Sequence, residues 1–332
     1  MAMGTRKTTM STETKSSIRI ELTAPDIAPH RESTTGVEYV HSFDSGVAGP
    51  HVMVNALTHG NEICGAIVVD RLLRQGLRPR RGRLTLAFAN IAAFTRFDPA
   101  NPYTSRFVDE DFNRVWTPER LDGNARSVEL NRARQLRPVV DTADYLLDIH
   151  SMLEPSPPVM ISGPLDKGIR FAFDVGVPQN VVSDVGHSNG TRMRDYGGFG
   201  DPASPKNALL VECGQHWERA AEQVAWQTTW RFLSCLDVVD PALVARELDA
   251  AALPPPRLIR VTDAVVANSP AFRFARPFSG LDVVARAGDV IAWDGDTPVR
   301  APYDNCVLVM PVPNNVKTGL TAVRLGRIEV PA

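Results

Sequence analysis

The stretch His51-Val52-Met53-Val54-Asn55-Ala56-Leu57-Thr58-His59-Gly60-Asn61-Glu62 decides the reading of this chain. Its first half is short and apolar, as a buried strand is, and it runs into a turn containing Gly60. Cys64, Ile67, Val68, Arg71 and Leu72 then recur at helical spacing, and Gly76 suits a C-cap. The sequence therefore predicts a strand, a tight turn and a helix from Ile63 to Arg74. His59 and Glu62 stand three apart, so one helical turn can aim both side chains at a single point. Imidazole nitrogen and carboxylate oxygen are both zinc ligands, and catalytic zinc often takes three protein ligands. Further on, Leu146-Leu147-Asp148-Ile149-His150-Ser151 reads as a second buried strand ending in a histidine. His59, Glu62 and His150 are the candidate ligands of one zinc ion per chain.

Working outward, Leu84 to Ala89 predicts the next strand, and strand, helix, strand at this spacing predicts a parallel pair crossed by a helix. Ser17 to Leu22, Val37 to Val40, Val159 to Ile161 and Ala208 to Gly214 are further candidate strands. Lys167 to Val175 and Trp217 to Leu236 read as helices, and Ala125 to Leu136 as a polar surface helix broken near Pro138. Asn90 to Pro118 is a long irregular loop, a kind that compact domains seldom keep without a use. Leu253-Pro254-Pro255-Pro256 predicts a linker. Beyond it come Leu258 to Ala267, Val290 to Trp293, Cys306 to Met310 and Thr321 to Glu329, short β-like runs separated by turns. The expected organisation is a disordered tail or cloning remnant over residues 1–17, an α/β domain over 18–253 and a small all-β domain over 254–332.

The 332 residues are 43% hydrophobic and 22% charged, enough for one large domain and a smaller one. A formal net charge of -2 gives no electrostatic case for nucleic acid or an anionic membrane. No apolar run approaches the roughly 20 residues of a membrane span. Cys64, Cys213, Cys235 and Cys306 form no CxxC pair, so buried reduced thiols in a cytoplasmic protein are expected.

A histidine followed three residues later by a glutamate is common and usually marks only a helix start. Placement raises the weight of this pair, because His59 and His150 both follow apolar strands, where open α/β sheets form their crevices. Glu212 interrupts the apolar run Leu209-Leu210-Val211; it is either a solvent-turned strand-end acid or a general base that takes a proton from water. Asp148 shares a strand face with His150 and either orients that ligand or is merely a polar strand end. In the loop, Arg106, Asn113 and Arg114 either grip an anionic substrate or form a solvated charged run paired by neighbouring acids.

Four ordered motifs, His59-Gly60-Asn61-Glu62, Asp111-Phe112-Asn113-Arg114, Asp148-Ile149-His150-Ser151 and Val211-Glu212-Cys213-Gly214, resemble those of the succinylglutamate desuccinylase/aspartoacylase family, a branch of the zinc carboxypeptidase-like hydrolases. The resemblance covers about residues 50–330. It implies a mixed central sheet flanked by helices, with a small C-terminal β domain capping the site. It also implies that His59, Glu62 and His150 hold zinc, Glu212 activates water, Arg106 polarises the scissile carbonyl, and Asn113 and Arg114 bind a substrate carboxylate. Aspartoacylase places an arginine about ten residues before its general base, where this chain has Pro202; Arg192 and Arg194 lie nearby instead. It also supplies a C-terminal tyrosine, and Pro313 to Leu325 contains none. Arg194 and Tyr196, within the segment His187 to Gly200, are the candidates to shape a different substrate pocket.

The expected activity is hydrolysis of a small N-acyl amino acid by metal-activated water, with Glu212 as base. The alternatives are a zinc carboxypeptidase for small peptides or conjugates, and a non-catalytic binding protein on the same scaffold. The expected partner is a small carboxylate-bearing amide, and self-association into a homo-oligomer is left open.

Overall fold

The computed structural model describes residues 19–186, 189–249, 253–312 and 316–329; the expected tail over residues 1–17 lies outside them. Fourteen strands are named in chain order: β1 (Val40–Asp44), β2 (His51–Ala56), β3 (Arg83–Phe88), β4 (Tyr145–Met152), β5 (Val159–Ile161), β6 (Asn180–Ser183), β7 (Asn207–Gln215), β8 (Arg257–Val266), β9 (Phe272–Phe274), β10 (Val283–Val284), β11 (Val290–Asp294), β12 (Thr297–Arg300), β13 (Cys306–Val309) and β14 (Thr321–Glu329). The helices are α1 (Ile63–Arg74), α2 (Ile91–Phe94), α3 (Pro118–Asp122), α4 (Val128–Thr142), α5 (Asp166–Val175), α6 (Arg219–Cys235) and α7 (Pro241–Glu247).

The large sheet has 11 strands in the order β1-β3-β2-β4-β7-β5-β6-β8-β14-β13-β10, and β12-β11-β9 form a separate 3-stranded sheet. The large sheet is mixed: β3, β2, β4 and β7 run parallel, while β5 is antiparallel to β7 and β14 is antiparallel to β8. This is the expected α/β architecture with a mixed central sheet and a small antiparallel companion. Residues beyond the triproline both extend the large sheet, through β8, β14, β13 and β10, and build the small one.

Period-two alternation sorts the central strands between two cores. Val52, Val54, Ala56, Leu147, Ile149, Leu209 and Val211 pack with helices α1, α5 and α6. Met53, Leu146 and Ala208 point the other way and pack with Leu130, Ala133, Leu136 and Val140 of α4. Asn55, Asp148, His150 and Glu212 have the parity of that second face, so alternation alone brings the polar groups of three neighbouring strands to one side of the sheet.

Helix α4 differs from expectation. It continues through Pro138 to Thr142, and its apolar stripe is buried rather than at the surface. Packing against the sheet outweighs the one lost backbone hydrogen bond. Its Glu129 is fully buried, and its carboxylate accepts hydrogen bonds from the backbone N–H groups of Val108, Asp109 and Glu110 at 2.6, 3.0 and 3.3 Å and from Asn90 Nδ2 at 3.1 Å. This one acid shapes the long loop. Of the cysteines, Cys64, Cys213 and Cys306 are buried free thiols, whereas Cys235 is exposed.

Two predictions follow from these buried polar groups. Glu129→Gln turns an amide N–H₂ toward backbone donors, and should cost about 1–3 kcal/mol, read as a lower denaturation midpoint with unchanged m. His51 is buried with Nε2 at 2.8 Å from Thr85 Oγ1, and burial lowers its pKa below 6.5. The unfolded chain therefore binds a proton near pH 6.5 that the folded chain refuses, so stability is lost as pH falls below that value. The Tm of His51→Gln should fall less between pH 7.5 and 5.5 than that of the parent; equal slopes would remove His51 as a contributor.

Candidate metal centre

The turn after β2 is held tightly. Gly60 N donates to Arg106 O at 3.1 Å, and a Cβ on Gly60 would sit 2.4 Å from Ala93 C and 2.5 Å from Ser105 O. Only glycine lets the backbone pass between α2 and the long loop. This close passage fixes where His59 and Glu62 point.

His59, Glu62 and His150 are all buried, and one ligand atom from each lies within 4.8 Å of the others. His59 Nδ1 is 2.7 Å from Glu62 Oε1, and His150 Nδ1 is 2.9 Å from Glu62 Oε2. The far nitrogens are tied back: His59 Nε2 is 3.0 Å from Asp111 Oδ1, and His150 Nε2 is 2.8 Å from Asp148 Oδ2. Both rings therefore offer Nδ1 to the same spot while a carboxylate holds Nε2, the arrangement by which outer carboxylates orient metal-ligating histidines. Glu62 Oε2 is buried, and its contact with His150 Nδ1 lacks hydrogen-bond geometry. A buried carboxylate between two imidazoles, with a nitrogen–oxygen donor set, fits a divalent cation of the zinc kind.

Asp148 is fixed in turn, accepting hydrogen bonds from Asn55 Nδ2 and Thr58 Oγ1, each at 2.8 Å. Its carboxyl is held below the usual range: burial alone would raise it, but His150, Asn55 and Thr58 outweigh burial. Of the two readings of Asp148, the geometry favours orientation of His150. The structure also places His150 inside β4, with the strand running on to Met152.

Glu212 stands opposite His150 in the β4–β7 ladder. It is buried, and its Oε2 has no partner. Burial pushes its pKa up to about 8; His150 and Arg106 pull it down and Glu62 pushes it further up. Arg106 leans over the ligand set, 3.6 Å from Glu62 Oε1 and 3.2 Å from Asp111 Oδ2. Arg114 donates to Asn113 O at 2.7 Å, and its pKa is lowered to about 10 by burial, with Arg106, Arg192 and Arg324 adding and Asp111 opposing. Asn113 Oδ1 accepts from Met193 N at 2.9 Å.

The other two sequence candidates stand elsewhere. Arg194 donates to Ser162 O and Ala208 O at 2.8 and 2.7 Å and pairs with Asp195, which anchors it at the start of β7 rather than near Glu212. The Tyr196 hydroxyl donates to Asp141 at 2.8 Å and accepts from Arg137 at 3.0 Å, and its ring packs on Trp116. Arg192 and Arg324 are nearer the site. Arg192 is buried against Asp184 at 2.8 Å, and Arg324 Nε lies 3.5 Å from the same acid. Arg324 comes from β14, a distance in sequence that no local pattern bridges.

His216 was not singled out from the sequence. It is buried beside the ligand set, its Nδ1 is 2.8 Å from Ser151 Oγ, and its Nε2 has no partner. Its pKa is pushed down to about 3 by burial, with Arg106, His59 and His150 adding and Glu62 opposing. Its signal in sequence was available: like His59, it lies within three residues of the end of a buried strand. Gly60→Ala should displace the ligand turn and weaken metal uptake at least tenfold while the far-UV spectrum stays native; unchanged uptake would show that the turn tolerates the methyl group.

Residues 48–203 match the family model described as the succinylglutamate desuccinylase/aspartoacylase catalytic domain. Over 85 residues the chain is 38% identical to a "Probable aspartoacylase" of Parasynechococcus marenigrum (strain WH8102), and the match covers 26% of each protein, about a quarter of that relative's length. Among solved structures, the chain is similar to succinylglutamate desuccinylase of Vibrio cholerae, with TM-score 0.65 and 18% identity over 88% of this chain and 86% of that one. It is likewise similar to the succinylglutamate desuccinylase of Chromobacterium violaceum, with TM-score 0.63 and 18% identity over 89% and 90% of the two chains. A product-bound ectoine utilization protein of Ruegeria pomeroyi gives TM-score 0.60 and 17% identity over 86% and 88%. At such identities the solved structures establish the shared fold, and residues 48–203 of this chain are similar to the succinylglutamate desuccinylase/aspartoacylase catalytic domain.

Proposed function

We propose that the protein is a zinc-dependent amidohydrolase that cleaves the amide bond of a small N-acyl amino acid. The observation that carries this reading is the convergence of His59 Nδ1, His150 Nδ1 and the Glu62 carboxylate, with Asp111 and Asp148 behind the two rings. A zinc ion held there supplies Lewis-acid activation of a water molecule and of the scissile carbonyl.

Glu212 takes one proton from the attacking water as its oxygen bonds to the carbonyl carbon. Its raised pKa suits a group that must both accept and return a proton near neutral pH. The Arg106 guanidinium stands to receive the negative charge that develops on the carbonyl oxygen. Glu212 then gives its proton to the amide nitrogen, the C–N bond breaks, and the second water proton passes from the new carboxyl group to the amine, so that a carboxylate and an ammonium group leave. Arg114, with Asn113, binds the carboxylate of the substrate, and the positive surroundings supplied by Arg192 and Arg324 support an anion on that side. The partner is thus a small anionic amide; neither composition nor site favours a nucleic acid. No described helix is long and apolar enough to cross a membrane.

Purified protein should carry about one zinc per chain by elemental analysis. Glu212→Gln should keep that zinc and lose on the order of 100- to 10,000-fold in kcat. A panel of N-acetyl, N-succinyl and N-formyl amino acids beside dipeptides should show turnover of the acyl amino acids. Full activity in Glu212→Gln would remove it from proton transfer, and exclusive turnover of dipeptides would make the protein a carboxypeptidase.

A further inference from the structure

Strand β7 does not run straight past the site. His150 is matched by Glu212, but Met152 is matched by Gln215, so Cys213 and Gly214 together oppose Ser151. Gly214 takes φ +109, which favours glycine. This bulge turns the chain that follows back across the two ligand-bearing segments. Trp217 Nε1 donates to Asn61 O at 3.1 Å, the carbonyl just before Glu62. His216 Nδ1 lies 2.8 Å from Ser151 Oγ, the hydroxyl just after His150, and His216 N donates to Met152 O at 2.8 Å. The two rings lie 5.3 Å apart, and both residues are buried. One dipeptide thus grips the neighbour of each ligand segment without offering an atom to the ligand group itself.

We propose that His216 and Trp217 are positioning residues, a clasp that sets the separation of Glu62 from His150. The inference rests on the metal reading above. The β2–β4 ladder ends at Asn55 and Asp148. Past it, the Thr58–Glu62 turn is placed against β4 by side-chain bonds. Asp148 makes those bonds on one flank through Thr58, and Trp217 with His216 makes them on the other. Ligand distances in a metal cage tolerate only about ±0.2 Å, so a small drift of the turn lowers affinity before it lowers stability.

The test measures zinc affinity by competition with a chromophoric chelator, together with the Tm of the metal-free protein. Trp217→Phe keeps the ring and removes the N–H donor. Ser151→Ala removes the hydroxyl that meets His216. Each should weaken zinc binding about 10- to 100-fold, the usual range for groups that orient ligands, with the metal-free Tm changing little. His216→Asn, whose amide nitrogen falls where Nδ1 stood, should restore affinity toward that of the parent, whereas His216→Gln should not. Parent protein that takes up no zinc overturns the metal reading and the clasp with it. Parent protein that binds zinc tightly, with Trp217→Phe and Ser151→Ala binding equally well, overturns the clasp alone. A lower metal-free Tm with unchanged affinity does the same, by showing a role in folding only.

Discussion

A carboxylate buried between two imidazoles is the constraint on which the rest of the site depends. Glu62 has almost no contact with solvent, and one of its oxygens lacks a hydrogen-bond partner. An ionised acid in such surroundings is costly unless charge or a cation answers it. The two Nδ1 atoms answer it in part, and they face it only because Asp111 and Asp148 hold the opposite nitrogens. Asp148 in turn is held by Asn55 and Thr58, which belong to the same strand-and-turn unit as Glu62. The network largely closes on itself, leaving Glu62 Oε2 and Asn55 Oδ1 as its buried atoms without a hydrogen bond.

The loop between α2 and α4 brings a second set of charges to this centre. Glu129 gathers the backbone N–H groups of residues 108–110 and so fixes the segment that carries Arg106, Asp111 and Arg114. Asp111 serves two masters: it holds His59 and pairs with Arg106. A cationic flank continues through Arg192 and Arg324 around Asp184. Burial, joined by like charges gathered this closely, lowers the pKa of Arg114, and an anion placed there would relieve both. The site is therefore uneven by construction, with a buried acid of raised pKa on the sheet and positive charge gathered beside it.

Strand parity made part of this legible. The pattern of Val52, Val54 and Ala56 against Met53 and Asn55, and of Leu147 and Ile149 against Asp148 and His150, places the polar members on one face whatever the loops do. Gly60 was legible as a turn residue, though not as the close approach to Ala93 and Ser105 that makes it necessary. The path of α4 through Pro138 was not legible, because helical propensity says nothing of the sheet surface that the helix covers. Arg194 and Tyr196 show the same limit. Their types suit a binding site, but backbone carbonyls and Asp141 hold them elsewhere.

The family resemblance implied that the central sheet is mixed; the residue patterns by themselves determined the strand-turn-helix unit around His59 and Glu62, the strands that carry His150 and Glu212, and an α/β class. Those are local patterns of apolar periodicity and turn chemistry, and each is readable within about a dozen residues. Only the tertiary structure decided that both imidazoles present Nδ1, that Asp111 and not just Asp148 stands behind a ring, that Arg324 reaches the site from β14, and that a bulge at Gly214 brings His216 and Trp217 against both ligand segments. Such facts depend on side chains distant in sequence meeting at one place, and long-range contact is set by how the whole sheet packs rather than by any neighbouring run of residues.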